Sequence, residues 1–324
     1  MDLKKAFDTV NFNILLDKLE HYGFRGTCLN WFKSYLIGRT QFTVANECLS
    51  NVKHTTCGIP QGTVLGPLLF LLYINDIANS VSSSHVKLFA DDSNLFVVSD
   101  NILSLFDVAN NELNNLAHWI CVNKLYVNYD KTNYMIFVPR TRNSHTSNII
   151  TNRNLFFNGH IIKQVHCVKY LGVNIDDELN WSEHINFLVG KVSSMIGIMY
   201  RNKHYLPINC KKNIYFALIY SNLTYCIEVY ANTNKSLLKP LITTCNRLLR
   251  LLQNKSRRTS LYVLYSTFNT LPIDLLFNYY TMKLIHRCLY DTSNMPTVVS
   301  NWFTRCSNKH THNTRTNNNI HLQS

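Results

Sequence analysis

Apolar residues recur at helical spacing soon after the chain begins. Residues 1–10 read as the end of a strand entering a turn. Asn11 stands where it can cap a helix whose apolar face is Ile14, Leu15 and Leu19, with Gly23 stopping it. Thr27–Leu36 reads as a second helix, ended by Gly38. Residues 40–45 and 52–57 alternate in the manner of a hairpin. A glycine-rich loop over 58–62 then opens a buried helix over 64–80. Two short strands, 85–90 and 95–98, flank a turn carrying Asp91, Asp92, Ser93 and Asn94, residue types that favour tight turns. A long amphipathic helix is predicted over 103–123 and a strand over 134–138. Asn158-Gly159 between apolar runs predicts a hairpin turn, and 168–175 reads as a further strand.

Beyond Trp181 the period becomes helical. Ser182 reads as the cap of one helix and Pro207 as the opening of another. Residues 237–252 and 273–289 predict two more. From Thr304 the chain is polar and rich in Asn, Thr and His, the composition of a frayed tail. The order is mixed α+β followed by all-helical, with no internal repeat.

Composition narrows the classes. Of 324 residues, 46% are hydrophobic and 16% charged, which fits a folded chain of roughly two or three structural units. Asp2, Lys4, Lys5 and Asp8 interrupt any apolar leader. The longest apolar stretch, 64–74, is about half the ~20 residues of a membrane span, so a buried helix is the better reading. Ten cysteines show no CxxC pair and read as reduced thiols. Cys306, His310 and His312 have loosely ligand-like spacing, with only His286 and Cys288 upstream to complete a zinc site, and a polar tail is the preferred reading.

Charge separates the chain into two regimes. Residues 1–180 carry 15 Lys/Arg and 15 Asp/Glu; residues 181–324 carry 17 and 4, which is the whole net charge of +13. A balanced first half followed by a basic second half fits a catalytic part and a part that holds a polyanion.

The candidate chemistry is carboxylate-based. Transfer of a nucleotide to a 3′-hydroxyl is an in-line displacement at phosphorus, and two Mg²⁺ ions about 3.5–4 Å apart can hold the attacking and leaving oxygens. Mg²⁺ takes hard oxygen ligands and keeps several waters, so two or three carboxylates suffice. Asp91-Asp92, following the apolar run 86–90, fits such a ligand pair, and Asp2 or Asp8 could supply a third carboxylate. Two aspartates in a turn are a weak signal taken singly. The ordered set is far more specific: Asp-x-x-x-Ala-Phe-Asp, a Gly-Ile-Pro-Gln-Gly loop opening a buried helix, then Phe-Ala-Asp-Asp in a hairpin.

These segments resemble the palm motifs of reverse transcriptases from non-LTR (LINE-type, jockey-like) retrotransposons. Residues 2–8 are similar to the first motif, 58–67 to the second and 89–92 to the third. Asn123-Lys124-Leu125 with Asn128, Lys131 and Thr132 is similar to the fourth, and 169–173 to the fifth, the hairpin that grips the primer. Group II intron and telomerase-type polymerases share the palm logic, but the strings around 58–67 and 89–92 point to mobile elements. The resemblance covers about 1–180, and more loosely the helical region to about 290.

The resemblance implies an α+β right-hand palm, an antiparallel sheet plus helices, over 1–180, with partial fingers at about 24–57. It implies a helical thumb-like region over 181–253 and a helical extension over 254–303, before the tail at 304–324. It implies two Mg²⁺ held by Asp2 and Asp91, with Asp92 as a weaker ligand, and Lys131 as proton donor to pyrophosphate. Phe7 would lie under the incoming sugar and exclude a 2′-hydroxyl; ordinary core packing is its plainer reading. Gln61 and Gly62 would let the backbone approach nucleotide and template–primer. Asp8 is expected to be structural, as a turn or cap carboxylate. Tyr170, Leu171 and Gly172 would grip the primer. Lys191, Arg201, Lys203, Lys211, Lys212, Arg247, Arg250, Lys255, Arg257 and Arg258 are expected phosphate contacts.

The implied partners are an RNA template, a DNA primer and deoxynucleotides, with no membrane. The fingers and endonuclease regions that precede the first motif in the family have no counterpart before Asp2, so weak or no polymerisation by the chain alone is expected. A non-catalytic remnant with a basic duplex-binding surface is the alternative, and it differs in assigning Asp91 no chemical role. An unrelated aspartate-based metal hydrolase leaves the Pro-Gln-Gly loop and the 169–173 strand unexplained. A retrotransposon polymerase is expected in nucleus and cytoplasm, although Lys255-Ser256-Arg257-Arg258 is too short for an import tract.

Overall fold

A computed structural model describes residues 1–138 and 153–291, with 295–296, 299, 303–305 and 320–322 beyond them. They fall into two units, Met1–His166 and Cys167–Ser324. The sequence boundary at 180 therefore lies inside the second unit.

The first unit opens with a turn at Lys5 (φ 50°) and the short helix α1 (Ala6–Thr9). Asn11 then caps α2 (Phe12–His21), its side-chain oxygen accepting from the Ile14 N–H at 3.2 Å. The helix buries Phe12, Leu15 and Leu19, and α3 (Thr27–Leu36) buries Phe32 and Leu36. The expected 40–57 hairpin is broken into two small antiparallel pairs. β1 (Thr40–Gln41) joins β4 (Lys53–His54), and β2 (Val44–Ala45) joins β3 (Cys48–Leu49) around Asn46 and Glu47 at positive φ. All eight of these strand residues are exposed, so no burial reinforces a longer ladder.

The apolar run forms α4 (Leu65–Ile74), which tightens into a 3₁₀ turn over Asn75–Ser80. β5 (Ser84–Phe89) and β6 (Asp92–Val97) pair antiparallel, Phe89 opposite Asp92. The connecting turn is therefore Ala90-Asp91 only, with Ala90 at φ 52°; Asp92, Ser93 and Asn94 already belong to the strand. α5 (Ile102–Val122) buries Phe106, Leu113, Leu116 and Ile120. The strand expected over 134–138 is β7 (Asn133–Tyr134), parallel to β9 (His160–Gln164). β9 pairs antiparallel with β8 (Leu155–Phe157) across Asn158 (φ 50°) and Gly159 (φ 79°), the two-residue turn that Asn-Gly favours. Val10, Leu15, Leu19, Leu36, Phe70 and Tyr73 are fully sealed in this unit's core.

The second unit begins with β10 (Cys167–Tyr170) and β11 (Val173–Asp176), an antiparallel hairpin of the kind the fifth-motif resemblance implies, where periodicity alone read one strand. The turn residues Leu171 (φ 45°) and Gly172 (φ 89°) break the strand. Helices follow: α6 (Ser182–Asn202), α7 (Ile208–Ile214) continuing as a π-helical turn, then α8 (Ser221–Thr224) and α9 (Ile227–Tyr230). α10 (Lys235–Leu252), α11 (Leu261–Phe268) and α12 (Ile273–Tyr290) complete them. Ser182 is the first helical residue, not the cap. Trp181 holds the cap position at φ 67°, and the Ser182 N–H donates to the Asn180 side chain at 2.9 Å. Tyr215, Ile227, Tyr230, Leu241, Leu248 and Leu264 anchor this unit's core. The tail beyond Thr304 lies largely outside the described residues; within it, β12 (Phe303–Arg305) and β13 (Ile320–Leu322) pair antiparallel. No described helix is long and apolar enough to cross a membrane.

Candidate active site

Three segments of the first unit, 1–4, 92–93 and 126–132, meet at Asp2. The Met1 nitrogen donates to the Ser93 carbonyl at 2.9 Å, and the Ser93 N–H donates back to the Met1 carbonyl at 3.4 Å. A mutual exchange of this kind marks an antiparallel, hydrogen-bonded pair, and the next pair in that register is Asp2 opposite Asp92. Directly opposed residues share a face of the ladder, with Cβ atoms about 4.5–5.5 Å apart. On its other side the segment meets the fourth motif. Leu3 bridges Val127, the Lys4 N–H donates to the Tyr126 carbonyl at 2.7 Å, and the Asn128 N–H donates to the Asp2 carbonyl at 2.9 Å. The buried Thr132 hydroxyl accepts from the Asp2 N–H at 3.3 Å and donates to the Asn128 carbonyl at 2.9 Å. Thus Asp2 lies on a strand-like segment held on both sides.

The second motif docks on the first. Asn11 bridges Cys57, the Gly58 N–H donates to the Val10 carbonyl, and the Ile59 N–H donates to the Phe7 carbonyl, both at 2.8 Å. Gly58 adopts φ 92°, and a Cβ there would stand 2.8 Å from the Asp8 carbonyl oxygen. Only glycine meets both demands. The Gln61 amide donates to the Asp8 carboxylate at 2.8 Å, a partnership that sequence reading missed. Asp8 is therefore a strut between the two motifs and not a cap. Thr63 closes the loop onto α4: its hydroxyl donates to the Pro60 carbonyl at 2.9 Å and accepts from the Gly66 N–H at 3.1 Å. Phe7 is half-buried, its ring 4.6 Å from that of Phe70, so one side is committed to packing.

Asp91 and Asp92 are exposed and Asp2 is half-buried. Among the described residues no hydrogen bond or ion pair within 4 Å engages their carboxylates, although the Met1 ammonium feels the charges of Asp2 and Asp92. Among the described residues no three His, Cys, Asp or Glu side chains are gathered tightly enough to enclose a metal. The donor chemistry still fits a hydrated Mg²⁺, because carboxylate oxygens free of protein donors, from two paired segments, leave most of the coordination sphere to water and substrate. Lys131 is exposed on the turn after Asn128, its N–H donating to the Asn128 carbonyl at 3.2 Å.

In the second unit, Tyr170, Leu171 and Gly172 form the end of the β10–β11 hairpin. Of the basic residues there, Lys191, Arg201, Arg247, Lys255, Arg257 and Arg258 are exposed, and Lys203, Lys212 and Arg250 are partly so. Lys191 is already engaged, donating to the Asn222 side chain at 2.7 Å over the Phe187 ring. Lys211 departs from expectation. It is buried, 3% exposed, unlike the other expected phosphate contacts. The Cys306, His310 and His312 cluster lies outside the described residues.

Comparison with known proteins gives the family. A family model for reverse transcriptase (RNA-dependent DNA polymerase) matches residues 1–175. The RNA-directed DNA polymerase from mobile element jockey of Drosophila melanogaster is 28% identical over 272 residues, covering 80% of this chain and 27% of that protein. Its counterpart from Drosophila funebris is 28% identical over 71% of this chain and 25% of its own length. A probable RNA-directed DNA polymerase from transposon X-element of Drosophila melanogaster is 24% identical over 78% of this chain and 28% of its own. The chain thus spans about a quarter of the length of these relatives. It belongs to the reverse transcriptase (RNA-dependent DNA polymerase) family, with the polymerases of non-LTR mobile elements among its relatives.

Proposed function

We propose that this chain is the palm-and-thumb part of a retrotransposon RNA-directed DNA polymerase, adding deoxynucleotides to a DNA primer along an RNA template. The observation that supports this most is the Met1–Ser93 exchange, whose register brings Asp2 across from Asp92. In this reading Asp2 and Asp91, with Asp92 as the weaker neighbour, hold two Mg²⁺ ions, which when bound neutralise charge on the attacking and leaving oxygens. The free face of Phe7 stacks against the incoming sugar and leaves no room for a 2′-hydroxyl. The Asp8–Gln61 strut keeps the 58–62 loop against the first motif, and Gly62 at φ 77°, with open space where a Cβ would be, lets nucleotide approach the backbone. Lys131 donates a proton to pyrophosphate as it leaves. Tyr170, Leu171 and Gly172 hold the primer, and the exposed basic residues of the second unit contact phosphates.

Primer extension on an RNA template with all four deoxynucleotides tests the proposal. Incorporation that needs both the RNA strand and Mg²⁺ supports it. Incorporation indifferent to template or divalent ion argues against it. Phe7→Ala should raise incorporation of ribonucleotides relative to deoxynucleotides.

A further inference from the structure

The β10–β11 hairpin is too short to hold its own shape, since a two-stranded ribbon is marginal in water. Its base is fixed by Asp176, a buried carboxylate that accepts from the Asn180 and Trp181 N–H groups at 2.8 and 2.7 Å. Its middle is fixed by His184 of α6, whose Nδ1 accepts from the Asn174 N–H at 3.3 Å. Its tip lies away from both. There Leu171, a γ-branched residue at φ 45°, occupies a left-handed conformation that L side chains seldom adopt.

Among the described residues, the distant Tyr225 side chain reaches this tip. The Tyr225 hydroxyl donates to the Leu171 carbonyl at 2.6 Å, across 54 positions of sequence. Its ring also lies against Gly172, where a Cβ would stand 3.2 Å from the ring edge. Tyr225 sits in the break between α8 and α9. Its own backbone is extended (φ −67°, ψ 114°), and Cys226 beside it turns left-handed at φ 55°. The break thus aims an aromatic ring outward, although half its surface remains exposed and no core packing requires it there.

We propose that Tyr225 is a positioning residue for the primer, a latch that fixes the Leu171-Gly172 turn from outside. The hydroxyl fixes the direction of the Leu171 carbonyl and the ring limits how far the turn can roll. The backbone groups of the tip are then presented in one orientation before any primer arrives, so that binding does not bear the cost of ordering them. This inference rests on the reading of the hairpin as the primer-holding element.

The test measures affinity of the full chain for two DNA·RNA duplexes of equal length, one with a recessed primer 3′ end and one continuous, without that end. The variants are Tyr225→Phe, which keeps the ring and removes the hydrogen bond, and Gly172→Ala, which disturbs the tip directly. Tyr262→Phe, altering an exposed tyrosine of α11, is the control. The latch predicts that Tyr225→Phe weakens binding of the recessed duplex about three- to tenfold, the worth of one hydrogen bond, and leaves the continuous duplex and the control unchanged. Equal loss on both duplexes would mean general damage to the unit and would overturn the latch. If Gly172→Ala weakens the recessed duplex and Tyr225→Phe does not, the latch is wrong and the primer reading of the hairpin stands. If neither variant separates the two duplexes, the primer reading fails and the latch fails with it.

Discussion

Met1 and Ser93 exchange backbone hydrogen bonds at 2.9 and 3.4 Å, and that single pairing turns two remote aspartates into cross-strand neighbours. Asp2 comes from the start of the chain and Asp92 from a hairpin 90 positions later, yet the register sets them opposite each other. With Leu3 bridged to Val127 on the other side, the Asp2 segment has a partner along each edge. This arrangement ties Asp2 and Asp92 to strand pairing, while Asp91 stands beside them in the Ala90-Asp91 turn.

The two buried hydroxyls around this segment should behave oppositely. Thr132 bridges the Asp2 N–H and the Asn128 carbonyl, so Thr132→Val leaves both without that partner and should destabilise by about 1–3 kcal/mol. The Ser93 hydroxyl is buried with no hydrogen-bond partner among the described residues, so Ser93→Ala should be neutral or slightly stabilising. Urea denaturation of the two variants reads the contrast directly. A large loss from Ser93→Ala would mean that its hydroxyl is satisfied after all.

Gly58 combines φ 92° with a 2.8 Å approach of any Cβ to the Asp8 backbone. Backbone cannot swing aside as a flexible side chain can. Gly58→Ala should therefore cost about 2–4 kcal/mol, at the severe end for a one-carbon change. An unaltered melting temperature would show that the loop does not rest on the first motif as described.

Asp8 and Gln61 form an exposed but charge-assisted hydrogen bond at 2.8 Å. A double-mutant cycle with Asp8→Ala and Gln61→Ala should return a coupling energy of about 0.5–1.5 kcal/mol. Strict additivity of the two single losses would remove the strut.

Glu112 sets an acid limit on stability. Burial pushes its carboxyl up, but donation from the Ser83 N–H, the Ser82 N–H and hydroxyl, and Asn115 outweighs burial, so its pKa lies below the ordinary glutamate value. A carboxyl with a depressed folded pKa binds fewer protons folded than unfolded. Its stabilisation is complete above the unfolded value of about 4.3 and fades as pH falls through the lower folded value. Glu112→Gln should thus lower the melting temperature at pH 7, with the gap to the parent protein closing in acid. A gap of equal size at pH 7 and pH 3 would contradict this.

Much of the framework was legible because local chemistry decided it. Asn11 caps α2, α3 runs over Thr27–Leu36 as its periodicity predicts, and Asn158-Gly159 turns β8 into β9. The misses share a cause, which is that distant contacts overrode local preference. By periodicity residues 168–175 read as one strand, and only the fifth-motif resemblance implied a hairpin; the left-handed Leu171, held by Tyr225 and followed by Gly172, makes the turn. Ser182 is an apt cap by type, yet Asp176 gathers the Asn180 and Trp181 N–H groups and shifts the cap to Trp181. Lys211 reads as one cation among many until helix phase turns it inward. Of the site, the carboxylates and loop were visible as ordered motifs. The Asp8–Gln61 and Thr132–Asp2 links were not, since single hydrogen bonds between remote residues leave no periodic trace.

If Asp91 serves nucleotide addition, as proposed, incorporation depends on its carboxylate. Extension of a labelled DNA primer on an RNA template, with Mg²⁺ and deoxynucleotides, should be compared between this chain and its Asp91→Asn variant at matched folded concentration. The expected result is template-directed incorporation by the parent chain, even if slow, and at least about a hundredfold less from Asp91→Asn. Equal incorporation by the two proteins, or none by either while both remain folded and bind the duplex, would contradict it.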